Sequence, residues 1–154
     1  MQVLNFGIFF RYKIQKGADV MVDYITGING SGKTKIMAEA AIHTAEISKG
    51  NVVFIDCGNR LMKTLPSNIR LINIEDYSIK SSIAFYGFLI GLCAGDYDLT
   101  DVFIDSTLKI ISAGNTNLDD FFEILSKVSD KTGVDFHFAV CDDTVQELMY
   151  QNAR

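Results

Sequence analysis

A chain of 154 residues, 48% of them hydrophobic, can bury one substantial core and is short for two, so a single domain is expected. The formal charge of -5, without any run of more than two basic residues, argues against a nucleic-acid groove, because phosphate-backbone binding rests on clustered Lys and Arg. Cys57, Cys93 and Cys141 are odd in number, widely spaced and free of any C-x-x-C pair, which suggests neither a disulfide framework nor a zinc site and fits a reducing cytoplasm. The longest apolar run, residues 83–94, is twelve residues, too short to span a bilayer and better read as a buried helix.

Residues 1–20 differ in character from the remainder of the chain. Val3 to Phe10 is apolar, but Arg11, Lys13 and Lys16 come after the apolar part instead of before it, a poor signal-peptide pattern. The preferred expectation is a translated or disordered leader with the true start at Met21, since Lys16-Gly17-Ala18 can be encoded by a ribosome-binding sequence; an edge strand or flexible tail is the alternative. Residues 20–25 carry a β-branched and aromatic strand pattern. Gly27-Ile28-Asn29-Gly30-Ser31-Gly32-Lys33-Thr34 comes next and matches G-x-x-x-x-G-K-[ST] at every fixed position. A helix over about 32–49 is expected after it, with Ile36, Met37, Ala40, Ala41, Thr44, Ala45 and Ile47 as its apolar stripe and Gly50 as its stop. Strand, glycine turn and helix is the context a phosphate-binding loop requires.

Residues 52–56 form an apolar run ending in an acid, Asp56, as a parallel strand buried on both faces would. After the loop 57–60 and the punctuation Pro66-Ser67-Asn68 comes a short strand, 70–74. Glu75-Asp76-Tyr77-Ser78 leads into an apolar helix over about 79–94, stopped by Gly95-Asp96. Residues 101–105 are a second apolar run ending in an acid, Asp105. The loop 112–117 precedes a helix over 118–131 that Thr116 or Asn117 can cap, with Asp119 and Asp120 where the helix dipole favours them. Residues 134–140 are the fifth strand, and 142–150 a last short helix. Strands alternating with helices predict a three-layer α/β domain over 21–154, a P-loop nucleotide-binding domain with a mainly parallel five-stranded sheet and ligands at the strands' carboxyl ends.

These placements set the chemistry. In the loop, Gly27, Asn29, Gly30, Ser31, Gly32, Lys33 and Thr34 are the candidate nucleotide contacts: glycines let the backbone approach phosphates, so that amide N–H groups and the helix N-terminus face one anion. Lys33 would supply charge to the β- and γ-phosphates, and Thr34 would place its hydroxyl on Mg²⁺. Asp105 is the preferred acid for the metal, with Thr34, and Asp56 the runner-up. Many ATP-hydrolysing proteins of this layout place a glutamate after that acid; here Ser106 stands there, so Asp56, Glu75 or Asp76 is the candidate base. Arg60 is read as a surface residue first and an in-chain catalytic finger second. His43 and His137 are read as packing or surface residues, Cys93, Phe85, Tyr86 and Phe88 as core, and Tyr77 or Tyr97 as a group that could stack on a base.

From Met21 onward the motif residues Gly27, Gly30, Gly32, Lys33 and Thr34, with Asp105, resemble the P-loop NTPase superfamily. The order of elements looks like its RecA-like and type II thymidine-kinase branch, and is similar to small bacterial ATP-binding proteins sometimes labelled after the twitching-motility ATPase. The resemblance implies ATP and Mg²⁺ as ligands and a cytoplasmic protein. Three activities fit it: weak or partner-stimulated hydrolysis, with a protein partner or a second copy of the chain as stimulator; nucleotide sensing without turnover; and phosphoryl transfer to a small nucleoside or metabolite. The four-cysteine lid of the thymidine kinases is absent, and no N-K-x-D motif selects guanine.

Overall fold

The computed structural model describes residues 2–6, 9–15, 21–27, 30–107, 111 and 118–141. The elements are β1 (Gln2–Phe6), β2 (Phe9–Gln15), β3 (Met21–Gly27), α1 (Lys33–Ile47), β4 (Asn51–Asp56), β5 (Ile69–Asn73), a 3-10 turn (Ile74–Tyr77), α2 (Ser82–Gly95), β6 (Leu99–Ile104), α3 (Leu118–Thr132) and β7 (Asp135–Cys141). The sequence-predicted loop 112–117, its capping residues, Asn29 and the helix 142–150 lie outside the described residues.

One sheet of seven strands, in the order β1-β2-β3-β7-β6-β4-β5, organises the chain. From β3 to β5 all neighbours are parallel, which gives the five-stranded parallel sheet that the sequence predicts. The sheet is nevertheless wider than expected: β1 and β2 extend it antiparallel beyond β3, with Tyr12 opposite Tyr24.

Period-two alternation decides which face each strand residue serves. On one face Val53, Ile55, Val102, Ile104, Phe136, Phe138 and Val140 pack with α2 and α3. On the other, Val52, Phe54, Phe103 and Ala139 pack with Met37, Ala38 and Ala41 of α1. Helices thus cover both faces, and the two core clusters are separated by the sheet itself. Each fully buried Phe or Ile contributes about 1.5–3 kcal/mol. The α3 side is aromatic: Phe122 stacks on Tyr24 at 5.8 Å and meets Phe138 edge-on at 5.1 Å.

Two helix expectations are corrected. In α1, Ile47 is 69% exposed and Ala40 faces solvent, while Ala38 takes a buried place, so the stripe is narrower than the sequence suggested. Gly50 is not a left-handed helix cap: α1 ends at Ile47 with Ser48 in an extended conformation. Glycine is needed at position 50 because a Cβ there would collide with the Asp98 carbonyl and the Thr100 side chain. The chain turns tightly there, with Asn51 N–H donating to Asp98 O at 2.6 Å. α2 is apolar around its circumference, and Ser81 caps it by accepting from Ala84 N–H. No helix among the described residues is long and apolar enough to cross a membrane.

His137 is a packing residue, as expected, but with two partners that the sequence did not suggest. Its ring lies over Phe103 at 4.4 Å, and its nitrogens meet Asp23 at 2.6 Å and Asp101 at 3.1 Å, so three neighbouring strands are joined under α1. Burial pulls the imidazole pKa down, but the hydrogen bonds and negative charges of Asp101 and Asp23 outweigh it and carry the value from 6.5 up to about 9. Because the folded value lies above the unfolded one, this stabilisation is complete below pH 6.5 and is lost as pH rises through 9. Urea unfolding should therefore show stability falling between these pH values by on the order of 3 kcal/mol. His137→Gln should flatten that dependence and cost about 3–5 kcal/mol near pH 6.5 by removing the cation that Asp23 and Asp101 share.

Candidate functional site

Parallel pairing brings the carboxyl ends of β3, β4 and β6 to one edge of the sheet, with Gly27, Asp56 and Ile104 as their last residues. β6 does not pair with β3, because β7 lies between them. Asp105 is the first residue beyond β6, and its N–H donates to Ile55 O at 2.9 Å, fixing it beside the end of β4.

The glycine loop closes onto this edge. Gly30 and Gly32 have φ of +77° and +89°, in the left-handed region that L side chains rarely adopt. A Cβ at either position would meet nothing within 4 Å, so within the chain itself these glycines are required by backbone conformation. Among the described residues nothing occupies the space beside these two glycines. Gly32 is the N-cap of α1 and no side chain caps it; the first turn of α1 contains no acid. The helix therefore presents its N-terminal amides and the positive end of its dipole to that space. Ser31 Oγ is buried and has no hydrogen-bond partner among the described residues.

Two loop side chains have defined partners. Lys33 Nζ donates to Gly27 O at 2.5 Å, folding the ammonium back over the loop. Thr34 Oγ1 donates to Asp105 Oδ2 at 2.6 Å, across 71 residues of sequence. The pair presents a hydroxyl and a carboxylate, hard oxygen donors of the kind Mg²⁺ selects. No group of three or more His, Cys, Asp and Glu side chains able to hold a metal ion occurs among the described residues.

Asp56 is fully buried beside this pair. Its Oδ1 accepts from Cys57 N–H at 2.8 Å and from Arg60 Nη2 at 2.9 Å, while Oδ2 has no partner among the described residues. Burial raises its pKa above the ordinary carboxylate value; the Arg60 and Cys57 hydrogen bonds pull it back and the charge of Asp105 pushes it up. The Arg60 side chain is 56% exposed, as the surface reading expects, but its guanidinium is anchored, donating also to Ser106 Oγ at 2.8 Å. Ser106 has φ of +59°, one of two non-glycine residues with positive φ among those described.

The other candidates are not brought to this edge centre. Glu75 and Asp76 lie on the 3-10 turn after β5, where Glu75 accepts from the thiol of Cys57, the residue after Asp56, at 3.4 Å and Asp76 accepts from Asn73 Nδ2 at 3.1 Å. Tyr97 precedes β6 and so lies at the opposite, amino end of the strands, fully exposed. Tyr77 packs on Phe88 at 5.5 Å. His43 is exposed and Cys93 is half-buried against the core. What sequence reasoning missed is the pairing of Arg60 with both Asp56 and Ser106. The one signal for it, an arginine four residues after a strand-end acid, is too common to have been decisive. Comparison with protein-family models and with curated proteins finds no match to this chain.

Gly32→Ala should cost about 1–2 kcal/mol in urea unfolding without any ligand, because φ of +89° must be kept to close the loop. An equal midpoint for the variant and the parent would mean that the loop relaxes freely.

Proposed function

We propose that this chain is a P-loop domain that binds a nucleoside triphosphate, ATP first, together with Mg²⁺, and that it hydrolyses it slowly or under stimulation by a partner. The observation that carries this reading is the Thr34–Asp105 hydrogen bond at 2.6 Å, which joins the last residue of the glycine motif to the acid preferred for the metal. The uncapped N-terminus of α1, the two left-handed glycines and the unpartnered Ser31 hydroxyl support it as groups suited to an anion.

In this reading the amides of residues 30–34 bind the phosphates, and Lys33 leaves Gly27 O to neutralise the β- and γ-phosphates. Thr34 and Asp105 would hold Mg²⁺, which supplies charge neutralisation along the phosphate chain. Asp56 is the base: it is buried next to Asp105, one of its oxygens has no partner among the described residues, and burial raises its pKa, which strengthens a carboxylate as a proton acceptor. Binding without turnover is the second reading. It is favoured by Ser106, which stands directly after Asp105, has no basic group, and has its hydroxyl bonded to Arg60.

Phosphate release and calorimetric binding with ATP and GTP, with and without Mg²⁺, test the proposal. Lys33→Ala should weaken triphosphate binding roughly 10- to 100-fold, the scale of a charge-assisted hydrogen bond. Asp105→Asn should abolish the gain in affinity that Mg²⁺ provides. Asp56→Asn should lower kcat at least about 100-fold if hydrolysis occurs. Failure of the parent protein to bind any nucleotide at millimolar concentration would overturn the reading, and tight binding with no phosphate release would leave the sensing form of it.

A further inference from the structure

Arg60 is tied at one corner only. A single nitrogen, Nη2, serves both Asp56 Oδ1 and Ser106 Oγ, and Nε and Nη1 have no hydrogen-bond partner among the described residues. A guanidinium offers five N–H donors in a planar fork matched to carboxylate and phosphate oxygens, so three of its donors are uncommitted here. The segment that carries it is braced. Gly58 N–H donates to Asn73 Oδ1 at 2.8 Å, and Leu61 is buried in the α1-side core. Ser106, the second anchor, holds a left-handed backbone conformation that is costly for a side-chain-bearing residue, and its neighbour Asp105 is the partner of Thr34. Arg60, Asp56, Ser106, Asp105 and Thr34 thus form one continuous path from an exposed cation to the end of the glycine loop.

Resting on the nucleotide-binding reading, we propose that Arg60 is a triphosphate-reading latch on Asp56. Without nucleotide, Asp56 and Ser106 hold the guanidinium. The terminal phosphate of a bound nucleoside triphosphate, a more highly charged acceptor than a carboxylate, draws it across and leaves Asp56 without its cation. Only hydrogen bonds are exchanged in this step. It makes Asp56 available as a base only when a third phosphate is present, and it gives Ser106 a task other than that of a base, since its hydroxyl fixes where the arginine waits. A diphosphate lacks the group that would move Arg60, so the latch distinguishes the two nucleotide states.

The test is calorimetric binding of ADP and of an ATP analogue with a non-hydrolysable β,γ-bridge, both with Mg²⁺, to the parent, Arg60→Ala, Arg60→Lys and Asp56→Asn proteins. Arg60→Ala should weaken the triphosphate analogue about 10-fold or more and leave ADP within about twofold. Arg60→Lys, which keeps the charge and guards against a variant that does not fold, should fall between the two. Asp56→Asn removes the competing carboxylate and should tighten the analogue several-fold without changing ADP, an effect that a merely structural ion pair would not produce. Equal weakening of both nucleotides by Arg60→Ala, or weakening of the analogue by Asp56→Asn, overturns the latch. If Lys33→Ala loses both nucleotides while Arg60→Ala keeps the parent ratio, only the latch fails; if the parent binds neither nucleotide, both proposals fail.

Discussion

The hydrogen bond from Thr34 to Asp105 is the contact on which the arrangement of the candidate site depends. It ties the first turn of α1 to the end of β6, although β7 separates β6 from the strand that leads into α1. A bond across that gap is possible only because the sheet is parallel there, so that Gly27, Asp105 and Asp56 all emerge at the same edge. The Asp105 N–H to Ile55 O bond extends the same alignment to β4. The geometry of the loop, the first turn of α1 and the two acids is therefore set by strand order.

The protein handles buried charge in two ways at two places. Toward the amino ends of the strands, His137 stands between Asp23 and Asp101, and a protonated ring satisfies both carboxylates. At the carboxyl ends, Asp56 is equally withdrawn from water, yet it has one cation at one oxygen and, among the described residues, nothing at the other. The first arrangement is closed and suits holding strands together. The second is incomplete among the described residues, an arrangement consistent with the ligand site proposed at this strand end.

Much of the fold was legible because its signals are local. The apolar runs ending in Asp56 and Asp105, the G-x-x-x-x-G-K-T spacing and the acids at 119 and 120 each report on a few neighbouring residues, and periods of two and 3.6 translate directly into faces. The misreadings have the opposite character. Gly50 looked like a helix cap because of its place after Lys49, whereas Asp98 and Thr100, about fifty residues away, dictate the glycine. Tyr97 was close to a strand in sequence but at its wrong end. For residues 2–15 an edge strand stood only as the alternative, because pairing with β3 is a property of two segments, which neither displays alone.

The sequence by itself determined the α/β alternation and the types of the elements from β3 to β7, and it singled out the glycine motif and the two strand-end acids, because each is set by composition and spacing within one segment. Tertiary structure decided which acid meets Thr34, that Arg60 is held by Asp56 and Ser106 together, and that His137 is doubly paired. Those contacts depend on strand order, with β7 inserted between β3 and β6, and a one-dimensional pattern carries no record of which strands become neighbours.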